Sequence, residues 1–388
     1  MFNCVRYIRL LERLLLMNKR MKIVAFYLPQ YHTFPENDEW WGEGFTEWTN
    51  VKKSQPLFKG HNQPEVPYKG NYYDLLDTTV LEKQSKMALE YGVDAFCYYH
   101  YWFNGKLLME KPLEAMLHNP NIKIEYCMCW ANENWTRTWD GLENSVLIKQ
   151  DYDNDSQGIK DHFNYMLQFF KDERYMKVDN KPIMVLYRPD IITNLDEMMA
   201  TWNAMAKEAG FAGIYWTCQH PTSYSDMSVA DKFDMGIEFE PAYTMMSLHK
   251  STKMQDRIKL ALKHPVYAMH RMNGKIKNIR TMVNYDDFYK FIIARKPMNN
   301  KMAAGAFPGW DNTPRKGRNA TVYYGGSADK FKNYFGKRYE RALKEYTQPF
   351  MFINAWNEWG EGAHLEPDEK YGFGYLEAIR NITKENEQ

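Results

Sequence analysis

The stretch Phe350-Met351-Phe352-Ile353-Asn354-Ala355-Trp356-Asn357-Glu358-Trp359-Gly360-Glu361-Gly362 decides how this chain is read. Its first half is a run of aromatic and β-branched residues, the composition of a buried strand. Alternation puts Met351, Ile353 and Ala355 on one face, small and apolar enough to lie under helices. Phe352, Asn354, Trp356 and Glu358 share the other face, which grows more polar toward its C-terminal end. A strand apolar at its root and polar at its tip suits an α/β barrel whose active site lies at the strand ends. In a continued strand Glu358 and Glu361 point to opposite faces; a turn at Gly360 and Gly362 brings both carboxylates to one pocket. Two carboxylates about 5 Å apart are what retaining glycoside chemistry requires. A solvated loop with two acids is the plain alternative, but it has no use for Trp356 and Trp359 beside them.

Outward from this stretch, short buried-strand patterns alternate with helix-length segments. Strands are expected at 22–29, 93–103, 122–132, 181–189, 213–220, 235–241, 302–310 and 349–356. Helices are expected near 74–91, 107–118, 161–170, 195–209, 328–345 and 376–384. Eight strands with intervening helices imply a single (β/α)8 TIM-type barrel over 21–388 with long strand-end loops, more readily than two domains. Residues 1–20 carry Arg6, Arg9, Glu12 and Arg13 among apolar residues, too charged for a signal-peptide core and too short to span a bilayer. They read as a dispensable extension, with a basic amphipathic helix on a membrane surface as the other reading.

Formal net charge is +1, so nothing global argues for nucleic acid. Five cysteines in no disulfide-framework spacing fit a reducing, cytoplasmic location, and no His/Cys cluster completes a zinc site around Cys127 and Cys129. Asp151-Tyr152-Asp153-Asn154-Asp155 holds a D-x-D pattern, but Ser156 and His162 stand where a calcium loop needs Gly and Glu, so it reads as a polar loop. Residues 250–280 hold nine Lys or Arg and one acid, Asp256. That run is a solvated helical insertion or, more sharply, a contact for an anionic glycan, a lipid diphosphate or a membrane surface.

Aromatic residues make up 16% of the chain, with 12 Trp. Ten of these (Trp40, Trp41, Trp48, Trp102, Trp130, Trp135, Trp139, Trp310, Trp356 and Trp359) fall at or just past C-terminal strand ends, whereas core packing alone spreads them evenly. Carboxylates gather at the same places: Glu43, Glu47, Glu133, Asp140, Glu238, Glu240 and Asp311. A charge inside a barrel is costly unless paired, and Arg137, Arg188 and Arg315 are the available strand-end partners.

Five stretches together resemble a known group: PQYHTFPENDEWWGEGFTEWTNV at 29–51, FCYYHYWF at 96–103, CWANENWTRTWDG at 129–141, FPGWDNTPR at 307–315 and NAWNEWGEGAHLEPD at 354–368. They look like the WbsX-like family of bacterial surface-polysaccharide proteins, related to glycoside hydrolase family 99, the endo-α-mannosidase group. The resemblance covers 22–368 but not the basic insertion. It implies a retaining enzyme with no required metal or cofactor, acting on an α-linked, mannose-like glycan or bacterial surface polysaccharide through a 1,2-anhydro sugar. The family's Asn-Glu-Trp-His-Glu motif falls on 357–361. By that match Glu358 takes the sugar 2-OH proton and Glu361 is the acid/base. The departure is Gly360, where the hydrolases carry His at a position that bears on the leaving group.

Substrate contacts are then expected from Trp41, Glu47, Trp48, Tyr99, Trp130, Asn132, Glu133, Trp135, Asp140, Glu240, Trp310, Asp311, Asn357 and Trp359. Two other functions remain open: glycosyl transfer in O-antigen or capsule (lipopolysaccharide) biosynthesis, and a non-catalytic glycan-binding barrel. A nucleotide-sugar transferase normally has a nucleotide-binding sheet, and no fingerprint for one is present.

Overall fold

The computed structural model describes residues 20–136, 146–152, 156–219, 232–248 and 262–385. Residues 1–19, Arg137, Asp140, the second half of the D-x-D pattern and 249–261 of the basic insertion lie outside them. Eight strands run β1 (Lys22–Tyr27), β2 (Ala95–Phe103), β3 (Glu125–Trp130), β4 (Lys181–Leu186), β5 (Tyr215–Gln219), β6 (Met235–Ile237), β7 (Met302–Ala306) and β8 (Phe350–Ile353). Each pairs in parallel with the next, from β2 round to β8. The sheet closes through β1, which pairs with β8 at Lys22↔Phe350 and with β2 at Tyr27↔Tyr98. Helices such as Thr78–Glu90, Ser156–Phe170, Leu195–Glu208 and Ala328–Glu345 cover the outside, so the chain forms a (β/α)8 barrel.

Strands covered on both faces read as continuous apolar runs, and all nine residues of β2 are buried. The helices start where a side chain can take up an orphan N–H: Asp77 accepts from Thr79 N, and Ser327 from Lys330 N. β7 is built of Met and small residues for a local reason. A Cβ on Gly305 would lie 1.7 Å from the backbone oxygen of Glu238, so only glycine fits.

Boundaries differ from expectation where turn chemistry intervenes. The segment expected as a helix from 107 first returns as a strand, Lys106–Leu108, antiparallel to β2. Asn104 and Gly105 both have positive φ (50° and 90°), the conformation an Asn-Gly hairpin turn adopts. The helix proper is Glu110–His118. β7 stops at Ala306 rather than 310, ahead of Pro308 and Gly309. The described part of the basic insertion forms Pro265–Arg271 and Asn273–Lys277 and leaves Leu262, Val266, Met269, Met272 and Ile276 exposed. Cys97, Cys127, Cys129 and Cys218 are free and buried. Among the described residues no helix is long and apolar enough to cross a membrane.

Candidate active site

Past β8 the chain is pinned before it turns. The Asn357 side chain accepts from Leu28 N (2.8 Å) and donates to Leu28 O (3.0 Å), so it acts as one more rung beside the end of β1. Asn357–Glu358 and Ala363–His364 form a two-residue antiparallel ladder, and Trp359–Glu361 is a tight turn between them. Gly362 closes the turn at φ +59°, where a Cβ would also sit 2.9 Å from Asp311 N. Trp359 is the anchor of this turn. Its indole donates to Glu366 (2.8 Å), its ring stacks on His364 with centroids 3.7 Å apart, and it is buried. Held this way, Glu358 and Glu361 line the same cavity of about 420 Å³ at the C-terminal mouth of the barrel.

Arg315, on the short helix Thr313–Lys316 after β7, organises the carboxylates. Its Nη2 donates to Glu358, its Nη1 meets Glu361 and its Nε donates to Glu47, each at 2.8 Å. One guanidinium thus spans Glu358 and Glu361. Their nearest oxygens are therefore separated by no more than two such contacts and the width of that group. Glu47 is fully buried and pressed against the turn: a Cβ on Gly360 would lie 1.7 Å from Glu47 Oε1 and 2.8 Å from Arg315 Nε. Gly360 is therefore the space in which Glu47 and Arg315 meet.

Three acids around one cation set the proton affinities. Burial first, then the charges of Glu361 and Glu47, push the Glu358 carboxyl up to about 8, against the pull of Arg315. Burial raises Glu47 as well, opposed by Arg315. Burial works against the Arg315 charge, but the three carboxylates hold it well above its ordinary value. Tyr99, Tyr101 and Tyr187 are raised, chiefly by burial, and stand as neutral hydroxyl donors on the wall.

Of the residues singled out in the sequence, Tyr99, Glu133, Trp135, Trp310, Glu358 and Glu361 line this cavity. Glu47 supports it from behind through Arg315, and Trp41 packs on Trp135. The rest are placed elsewhere. Trp48 is buried with its indole donating to Tyr73 O, and its ring packs on Trp359. Trp130 faces a different, small cavity beside Trp102 and His162. Asn132 spends its amide on Tyr152 and the Arg188 backbone, and Glu240 on Arg295 and Thr244. Asn357 holds β1, and Trp359 holds the turn. Asp311 opens into a neighbouring cavity.

Tyr101, Tyr187, Asn312 and Lys316 line the same cavity and escaped the sequence reading. Tyr101 shares the parity of Tyr99 on β2, and Tyr187 directly follows β4; those two signals were available.

A family model described as "Glycosyltransferase WbsX" matches residues 23–379. Two curated relatives, each named "Uncharacterized protein WxcX" and from two strains of Xanthomonas campestris pv. campestris, are 34% identical over 361 residues, covering 92% of this chain and 49% of theirs. The chain thus spans about half the length of these relatives. Among solved structures, a "Glycoside hydrolase-like protein" aligns with TM-score 0.58 at 13% identity, covering 95% of both chains. The GH99 endo-alpha-mannosidase from Bacteroides thetaiotaomicron aligns with TM-score 0.52 at 13% identity, covering 94% of this chain and 97% of that one. At such identities the likeness is one of fold.

Proposed function

This chain belongs to the WbsX family, and on that premise we propose that it is a retaining carbohydrate-active enzyme acting on an α-linked, mannose-like glycan or bacterial surface polysaccharide. The observation that carries the reading is the single guanidinium of Arg315, which gathers Glu358 and Glu361 at one wall of an aromatic cavity. Clefts of a few hundred Å³ at the C-terminal face of a barrel, with perturbed carboxylates inside, are where such enzymes work.

Glu358 takes the proton of the sugar 2-OH, and that oxygen attacks C1. The bond from C1 to the leaving sugar breaks as Glu361 gives its proton to the leaving oxygen, which leaves a 1,2-anhydro sugar. Glu361 then removes a proton from the incoming hydroxyl, whose oxygen opens the strained ring at C1, and the 2-oxygen recovers its proton from Glu358. Two inversions at C1 give net retention. Arg315 stabilises whichever carboxylate is ionised, and Trp135, Trp310, Tyr99 and Tyr101 offer ring faces and hydroxyls to the sugar.

Water as the incoming hydroxyl makes the chain a hydrolase; a second sugar makes it a transferase, the reaction in the family's description. Incubation with a panel of α-mannosides, with and without an acceptor glycan, separates the two. The first product is expected in the α-anomeric form by NMR. Hydrolysis alone, with acceptor present, counts against transfer, and a β first product retires the mechanism. The basic insertion around Lys263, Lys275 and Lys277 is proposed to meet an anionic glycan or lipid surface. Neutralising four of its charges then weakens liposome or acidic-glycan binding in low salt, and no change retires that contact.

A further inference from the structure

The described part of the basic insertion has two apolar faces, and the barrel uses one of them. Tyr267, on the helix Pro265–Arg271, is buried with its ring edge-to-face on Phe291, centroids 5.2 Å apart. Farther along, Ile279 N donates to Gly274 O (2.9 Å), and Ile279 and Met282 pack with Ala320 and Val322 in a small core of their own. Arg318 Nη1 donates to the carbonyls of Lys277 (3.2 Å) and Asn278 (3.3 Å), and the strand Thr281–Asn284 runs parallel to Thr321–Tyr324. Tyr323 N donates in turn to Trp310 O (2.8 Å), which ties the insertion to a wall of the cavity that holds Glu358 and Glu361.

The outer face is left to solvent. Leu262, Val266, Met269, Met272 and Ile276 are 77%, 51%, 58%, 61% and 77% exposed. They are five of the ten large apolar side chains that stand exposed among the described residues, gathered within fifteen positions. Single exposed apolar side chains are ordinary; such a concentration marks a surface that something covers. Val266 and Met269 are three apart on one helix, away from Tyr267, and Met272 and Ile276 are four apart across the next turn, so each pair shares a side. Lys263, Lys275, Lys277 and Arg280 stand exposed among them, and no acid occurs in 262–280.

Charge alone fits an anionic glycan as well as a lipid surface; the aliphatic side chains separate the two. Sugar rings stack on aromatic faces, and none of the five is aromatic. A second copy of this chain brings the same positive charge with no acid to meet it. An anionic bilayer offers both complements, phosphates for the basic groups and acyl chains for the apolar ones. We infer that this face is a membrane-docking surface, which lies on an anionic phospholipid bilayer with these five side chains entering the boundary between headgroups and acyl chains. The inference rests on the basic-insertion reading above for the sign of the lipid; the apolar entry stands on the exposed side chains.

The test is co-sedimentation of the full chain with vesicles of equal parts phosphatidylcholine and phosphatidylglycerol, and of phosphatidylcholine alone. The parent protein is expected to bind the mixed vesicles and to keep part of that binding in high salt, where exposed charges are screened. Met269→Ser/Met272→Ser/Ile276→Ser leaves every charge in place and is expected to weaken binding at least tenfold, while leucine at the same three positions preserves it. Ile276→Asp decides the matter if the triple serine variant does not fold. Lys263→Gln/Lys275→Gln/Lys277→Gln is expected to cost about fivefold per charge in low salt. No binding of mixed vesicles by the parent overturns the surface, as does a parent dimer that the serine variant splits in sedimentation velocity. Binding to alginate, an acidic polysaccharide, without binding to vesicles makes it a glycan contact instead. A serine variant that binds like the parent, while the glutamine variant loses affinity, ends the apolar entry and keeps the basic reading. The reverse pattern, with phosphatidylcholine alone bound as well as the mixture, keeps the apolar entry and retires the basic reading.

Discussion

Two groups of buried glutamates in this barrel are each built around arginine, and they do different things. At β6, Glu238 accepts from Arg295 and Arg338, both at 2.5 Å, and from Tyr346 (2.9 Å), while Glu240 accepts from Arg295 and Thr244, both at 2.7 Å. Two acids meet two cations, and neither glutamate lines the cavities described above. Burial works against both guanidinium charges, yet Glu238, joined by Glu240 at Arg295, holds them above their ordinary value. At the mouth of the barrel, three acids share Arg315 and open on a cavity. Balanced charge in a closed site ties strands and helices together; unbalanced charge beside open space leaves a proton to be moved.

The largest effect that tests this contrast is on turnover. Glu361→Gln is expected to lower kcat on a cleaved glycoside by about 10²–10⁴-fold, the usual worth of a general acid, with the thermal midpoint nearly unmoved. Unchanged behaviour throughout makes the protein a glycan-binding barrel. The mirror experiment is Arg338→Ala, which strands Glu238 without one of its cations and is expected to destabilise the fold by about 3–5 kcal/mol in urea denaturation. A loss below about 1 kcal/mol means the β6 group is not the tie described here.

Two glycines sharpen the comparison. Gly305→Ala drives a Cβ toward a backbone oxygen of Glu238 at 1.7 Å, which the strand cannot move aside; about 1–3 kcal/mol or more of stability is expected to go. Gly360→Ala meets the side-chain end of Glu47 at the same 1.7 Å, and that end can shift. Its damage is expected in kcat/KM, about 10²-fold for displaced catalytic groups, with the smaller change in stability. The reverse ranking of the two substitutions breaks the distinction.

The smallest effect is in pH. The Glu358 carboxyl stands near 8 and must be ionised to take a proton, so the ascending limb of kcat/KM against pH is expected to be centred near 8. Arg315→Gln removes the cation that lowers it, and the rise moves to higher pH. A profile that falls through pH 8 exchanges the roles of Glu358 and Glu361.

Much of this was legible in order along the chain. The eight strands announce themselves as short apolar runs between turn residues, and Tyr99, Glu133, Trp135, Trp310, Glu358 and Glu361 stand at strand ends that face the cavity. Trp48, Trp130 and Trp359 stand at or past strand ends too, yet two pack beneath the turn that carries Glu358 and Glu361 and one looks into another hollow. Asn132 and Asn357 look like sugar binders in sequence because they are polar; in the fold they satisfy backbone groups that burial leaves no other partner. A loop side chain has no alternation rule to say which way it turns.

The amino-acid sequence alone determined the barrel, the order of its strands, and the two acids at the tip of the last one, because strand periodicity and turn chemistry act over a few residues. Only the tertiary structure decided that Glu47, Arg315, Glu358 and Glu361 form one charge system, that Gly360 is the gap they need, and that Asp311 belongs to a separate hollow. Proton affinity depends on desolvation and on charges a few ångströms away, and those neighbours come from strand ends far apart in the chain.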